Sequence, residues 1–128
     1  MDKIITHDKI DRVLCGTPIE LKDGYSRVEL SAGDSMSVDK SGLVHGGFIF
    51  GLADHAAMIA VNHPNVVLGS ADVRFLRPVK TGEKVVAEAR VTSIESKKRT
   101  VSVTVCNEQN EVFRGEFTCF VLEKHILE

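Results

Sequence analysis

The chain has 128 residues, enough for one domain around a single core, and a formal charge of −2 with histidine neutral. That balance argues against a nucleic-acid binder working through a basic surface. No Trp and a single Tyr leave little for stacking on bases. Cys15, Cys106 and Cys119 are odd in number, widely spaced and free of any C-x-x-C pair. They read as reduced thiols of a cytoplasmic protein, not as a disulfide frame or a zinc site. Met1-Asp2-Lys3 lacks the apolar run of a signal peptide.

Thr6 is placed to cap a short helix carrying Ile10, Val13 and Leu14 and ending at Gly16. Leu21 and then Tyr25 to Leu30 read as two strands about the turn Lys22-Asp23-Gly24. Residues 31 to 42 are rich in Ser, Gly and Asp and read as a loop. A long apolar helix follows the pair Gly46-Gly47, with Pro64 as its stop. From there the pattern is of strands: Val66 to Leu76, Glu83 to Ile94, Arg99 to Asn107 and Val112 to Leu122. Val85, Ala87, Ala89 and Val91 alternate on one face, as do Val101, Val103 and Val105, and Phe113, Phe117, Cys119 and Val121. Such alternation belongs to an antiparallel sheet with one covered face. Ser96-Lys97-Lys98 and Asn107 to Asn110 supply the hairpin turns. The predicted architecture is a single α+β domain over 1–128, with a five- to six-stranded antiparallel sheet wrapped around one central helix.

That helix carries the anomaly. Between Phe48 and Val61 its only polar side chains are Asp54 and His55. A helix apolar all round is buried, and an acid inside it is costly unless it is paired or its pKa shifts. Asp54 is therefore the leading candidate for chemistry, against the alternative of a structural carboxylate paired with Arg74 or a backbone amide. Gly46 and Gly47 open the helix, where unpaired N–H groups and the positive dipole end lie. Their missing side chains admit a ligand oxygen to the backbone, or simply relieve crowding at a tight entry. The helix is too short and too polar at its centre to span a bilayer. His45, Asp54, His55 and His63 match no zinc spacing.

The order of elements and the string Leu43-Val44-His45-Gly46-Gly47, with Leu52-Ala53-Asp54 after it, resemble the hotdog-fold acyl-CoA thioesterases of the phenylacetate-pathway type. Arg74-Phe75-Leu76-Arg77-Pro78 and Thr81-Gly82-Glu83 match the family's strand-and-turn pattern, and the resemblance spans roughly residues 36 to 122. The stretch from Ala71 to Ala87 is also similar to the effector domain of a bacterial fatty-acid-synthesis repressor, a hotdog that senses an acyl-CoA thioester without cleaving it. There the position of Asp54 holds an amide.

The resemblance implies a cytoplasmic hydrolase of acyl-CoA thioesters, with coenzyme A as part of the substrate and no cofactor or metal. It implies a homo-oligomer, dimer or tetramer, with neither a nucleic-acid nor a membrane partner. The site would be shared, Asp54 coming from one chain and His45 with Gly46 from its neighbour. Asp54 would attack the carbonyl or activate a water, and the Gly46 N–H would stabilise the oxyanion. His45 would hold the thioester or orient the loop, with Gly47 and Phe48 beside it. In this chain Asp39 stands where the family usually has asparagine, and two acids in one site repel. His55 follows the acid, where a small or hydroxylic residue is usual. It could hydrogen-bond across a subunit interface, tune Asp54 or fill space, the interface being favoured. Arg74 would meet an acyl carboxylate in the repressor-like reading, or pair with Asp72 on its own strand. Lys80 is a candidate for the phosphates of coenzyme A.

Overall fold

The computed structural model describes residues 1–128. In chain order the elements are α1 (Arg12–Cys15), β1 (Thr17–Lys22), β2 (Tyr25–Ser31), a 3₁₀ turn at Asp34–Met36, α2 (Gly46–Val61), β3 (Val66–Phe75), β4 (Lys84–Glu95), β5 (Lys98–Cys106) and β6 (Glu111–Val121). The strands form one antiparallel sheet in the order β1-β2-β4-β5-β6-β3. The two hairpins β4–β5 and β5–β6 follow the local turns. β3 instead passes α2 and closes onto β6, so the fourth-from-last strand in sequence becomes a sheet edge.

The alternating residues do what their period requires. Val85, Ala87, Ala89, Val101, Val103, Val105, Phe113, Phe117 and Cys119 are all buried beneath α2. From the other side the core receives Ile49, Leu52, Ala53, Ala56, Ala57, Met58, Ile59 and Ala60 of the helix. No helix is long and apolar enough to cross a membrane.

Three local expectations are corrected. α1 begins at Asp11, not Thr6: the Asp11 carboxylate accepts from the N–H groups of Val13 and Leu14, and Gly16 at φ +95° ends the helix. Thr6 is buried, its hydroxyl 2.8 Å from His7 Nδ1. The stop of α2 is Asn62 in the left-handed conformation (φ +53°), two residues before Pro64. The Asn62 side chain also ties down the N-terminal segment, accepting from Ile5 N–H and donating to Lys3 C=O, each at 2.9 Å. Finally, α2 is not covered all round. Gly47 is exposed, and Gly51 and Asp54, on the same helical stripe, are only half-buried.

Candidate active site

The entry to α2 is held from three directions. His45 donates its N–H to Met36 C=O at 2.9 Å, Val44 donates to Val79 C=O at 2.9 Å, and Leu43 bridges to Lys80. His45 is the N-cap: its Nδ1 accepts from Gly47 N–H at 2.7 Å. Accepting there leaves Nδ1 unprotonated and turns Nε2 outward. The Phe48 N–H returns to His45 C=O at 3.1 Å, and its half-buried ring stands edge-on to the imidazole. Of the first three helical amides, only that of Gly46 has no acceptor. It is the unsatisfied donor that a helix start leaves.

The missing side chain of Gly46 leaves room against Phe75. A Cβ there would lie 3.1 Å from Phe75 Cε1. Phe75 packs edge-to-face on Phe113 yet stays exposed. Gly46, Val44, Ile49, Phe75, Pro78 and Val112 line an apolar cleft of about 230 Å³ directly beside the free amide. Residues of three separate segments meet in it. Val44, Ile49 and Val112 gave no sign of this in the sequence, where they read as ordinary core positions.

Asp54 sits on the open stripe, about two turns further along α2. Its Oδ1 is buried and has no hydrogen-bond partner. Burial raises its pKa from 3.8 to about 6. The structural alternative, a carboxylate paired with Arg74 or an amide, is absent. Its charge reaches two thiols without bonding them. Burial first and Asp54 second push Cys119 up to about 12, and burial, Asp11 and Asp54 raise Cys15. Both sulfurs are held protonated and so are poor nucleophiles.

Other expected site residues lie elsewhere within the chain. His55 is a correction: it is 2% exposed and faces α1, with Nδ1 3.0 Å from Cys15 C=O. Burial lowers its pKa, and it can reach neither an interface nor the cleft. Arg74 is a second. It pairs across the strands with Arg114, while Ala71, Val73 and Phe75 pair with Phe117, Gly115 and Phe113. Phe113 and Phe117 face the helix, so Arg74 points to the outer side of the sheet, away from this cleft, and forms no ion pair with Asp72. Asp39 is exposed and folds onto its own turn, accepting from Ser41 N–H, Ser41 Oγ and Leu43 N–H at 3.0, 2.7 and 3.3 Å. The Ser41 hydroxyl, then these amides, lower its pKa. Within one chain Asp39 adds nothing to Asp54, whose pKa desolvation alone raises. Lys80 is exposed and does not line the cleft, whose one cationic residue is Arg77; it is next in sequence to the lining Val79.

The chain thus sets an open antiparallel sheet over one long helix, with a bare amide at the helix start and an unpaired acid within it. Residues 41–113 match the model of the thioesterase superfamily, and the chain belongs to that family, in its hotdog fold. It is 54% identical to a Pyrococcus horikoshii protein, PH1136, whose crystal structure superposes with a TM-score of 0.98 over 99% of this chain and 98% of that one. A Streptococcus mutans protein solved with acetyl CoA is 25% identical, with a TM-score of 0.81 over 92% and 97%. Two curated relatives are longer. The chain is 48% identical to a methylthioribose-1-phosphate isomerase of Aquifex aeolicus over 94% of its own length but 26% of that protein. It is 32% identical to the transcription factor FapR of Caldanaerobacter subterraneus over 73% of its length and 47% of FapR.

Proposed function

We propose that the protein hydrolyses acyl-CoA thioesters at a site shared by two copies of the chain. The observation that carries this reading is the Asp54 carboxyl, whose buried oxygen has no partner and whose pKa is lifted to about 6. Folding gains nothing from such a group, and a base poised near neutrality suits proton abstraction from water.

Helix geometry supports the sharing. Asp54 lies eight residues beyond Gly46 on one continuous helix, about 12 Å along the axis at 1.5 Å per residue. No single carbonyl carbon lies within reach of both. Two antiparallel copies of α2 bring the Asp54 of one beside the partner's Gly46. Asp54 then takes a proton from a water, and the water oxygen attacks the thioester carbon. The carbonyl oxygen gains charge against the Gly46 N–H. The C–S bond breaks, and the thiol leaves with the proton from Asp54. His45, by capping Gly47, keeps the neighbouring amide occupied and the entry rigid. The apolar cleft takes the acyl group, and the exposed Lys80, next in sequence to the lining Val79, suits the phosphates of coenzyme A.

The FapR match favours a second reading, an acyl-CoA sensor without turnover. One experiment separates them. Acyl-CoA esters from acetyl to palmitoyl and aromatic are scored for binding and for free thiol. Release of thiol by the wild type and its loss in Asp54→Asn are expected. Tight binding with no release from any ester would establish the sensor instead. Mixing Asp54→Asn with Gly46→Val chains tests the sharing. Mixed dimers keep one intact site, so random assortment restores roughly a quarter of wild-type turnover. No recovery would mean that each chain holds its own site.

A further inference from the structure

Arg77 is the one charged side chain in the cleft beside Gly46. The rest of the lining is apolar. Val44, Ile49 and Val112 form a buried floor, and Phe75 and Leu76 stand exposed above it. Exposed apolar walls over an apolar floor suit an apolar occupant. A cation among them asks that the occupant carry something more.

Local structure accounts for only part of Arg77. Its backbone N–H joins that of Leu76 on the Val112 C=O, at 3.2 and 2.8 Å. Its Nη1 donates to the Glu111 C=O at 2.7 Å, which leans the side chain on the start of β6. That contact uses one of five guanidinium donors, and a neutral amide could make it as well. The carboxylate of the same Glu111 is taken by Arg114, at 2.7 Å. Arg77 belongs to none of the chain's ion pairs and is exposed. Its charge and its remaining donors are left for a ligand in the cleft.

We propose that the cleft selects acyl groups that end in a second carboxylate, which Arg77 binds while the Gly46 N–H meets the thioester oxygen. The inference rests on the acyl-binding role given to the cleft above and names the substrate class. It requires neither turnover nor a second chain. A planar guanidinium matches a carboxylate with two parallel N–H donors, which a lysine could not do. The methylenes between the two ends of the acyl group lie along Phe75 and Leu76. An acyl group with a methyl end would cover the same apolar walls and leave Arg77 unpaired.

The spacing sets the length of the acyl group. A Cβ at Gly46 would lie 3.1 Å from the Phe75 ring, so Phe75 marks the thioester end. Arg77 follows it by two residues, at most about 7 Å of chain. About five C–C bonds of ~1.5 Å, drawn out in a zigzag, cover nearly the same distance. That is an acyl group of about six carbons by the same bond lengths. Adipoyl is then the matched dicarboxylic acyl group, and hexanoyl is its uncharged counterpart. Succinyl is too short to reach Arg77 from the Gly46 amide.

Paired esters test this. Binding is measured by calorimetry on Asp54→Asn chains, so that the ester is not consumed, and thiol release is measured on chains that keep Asp54. Adipoyl-CoA is expected to bind about tenfold more tightly than hexanoyl-CoA at low ionic strength, and the difference should shrink in high salt. Arg77→Gln, with its circular dichroism checked, should bring the two esters to the same affinity. The same two acyl groups on N-acetylcysteamine, which carries no phosphate, should show the wild-type difference again. Equal binding of the two CoA esters by the wild type would overturn the proposal. So would a preference for adipoyl that survives Arg77→Gln, or one that is absent from the N-acetylcysteamine esters, as when Arg77 serves the phosphates of coenzyme A instead. Thiol release from hexanoyl-CoA with no preference for adipoyl would keep hydrolysis and sink this inference alone. A preference that depends on Arg77, with no thiol released from either ester, would do the reverse.

Discussion

Asparagine in place of Asp54 removes a charge that the fold pays to hold. The carboxyl moves from 3.8 to about 6 on burial. At 1.36 kcal/mol per pKa unit this is about 3 kcal/mol of disfavoured ionisation in the native state. The native state binds the proton more tightly than the unfolded chain, so wild-type stability falls as pH rises from 3.8 through about 6 and is then level. Asparagine does not titrate. Its amide donors enter the same unpartnered setting at a cost of their own, so absolute stability is the poorer measure. The difference between variant and wild type is the better one. It should shift in the variant's favour by about 2 kcal/mol between pH 4.5 and 7.5. Urea unfolding at both pH values, at one protein concentration, reads it directly. Thiol release from the responsive ester should meanwhile fall a hundredfold or more in the variant. In the wild type kcat/KM should rise with pH to a plateau, through an apparent pKa near 6. A stability difference that does not change across this window would refute the argument that burial raises the Asp54 pKa.

Gly46→Val should lower turnover by about 10²- to 10³-fold, the usual result of losing one oxyanion donor, because its side chain meets the Phe75 ring 3.1 Å away and displaces the carbonyl oxygen from the amide. Unchanged circular dichroism and oligomer size must accompany the steady-state rates, and near-normal turnover in a folded variant would move the oxyanion role elsewhere. His45→Ala should cost about 1 kcal/mol in urea unfolding, as the Gly47 N–H loses its cap; an unchanged midpoint would show that water replaces the imidazole freely. His55→Ala should cost more, about 2–5 kcal/mol, since it opens a cavity in the core and strands the Cys15 carbonyl; a loss smaller than that of His45→Ala would contradict its placement.

Local rules carry a long way in this chain. The period of two in Val85 to Val91, Val101 to Val105 and Phe113 to Val121 sets both the strands and their covered face, because alternation is a property of neighbouring residues. The bare run from Phe48 to Val61 sets the central helix for the same reason, and Asp54 stands out within it without any knowledge of the fold. The strand order was beyond such rules. β3 joins β6, about forty residues away in sequence, and nothing local distinguishes an edge strand from an interior one. The same holds for the residues whose placement had to be corrected. Asp72 and Arg74 were legible as sharing a face, but the outward direction of that face depends on Phe113 and Phe117 across the ladder. His55 looks like a neighbour of the acid in sequence, yet a step of about 100° around the helix turns it towards α1 and the Cys15 carbonyl. Asp39 follows a local Asx pattern onto Ser41 and Leu43. The sequence by itself determined which residues are apolar, where the helix and strands run, and that one acid is out of place. Only the tertiary structure decided that the acid's oxygen has no partner, that the Gly46 amide is left free, and that β3 is an open edge, since desolvation and hydrogen-bond satisfaction belong to groups brought together from distant parts of the chain.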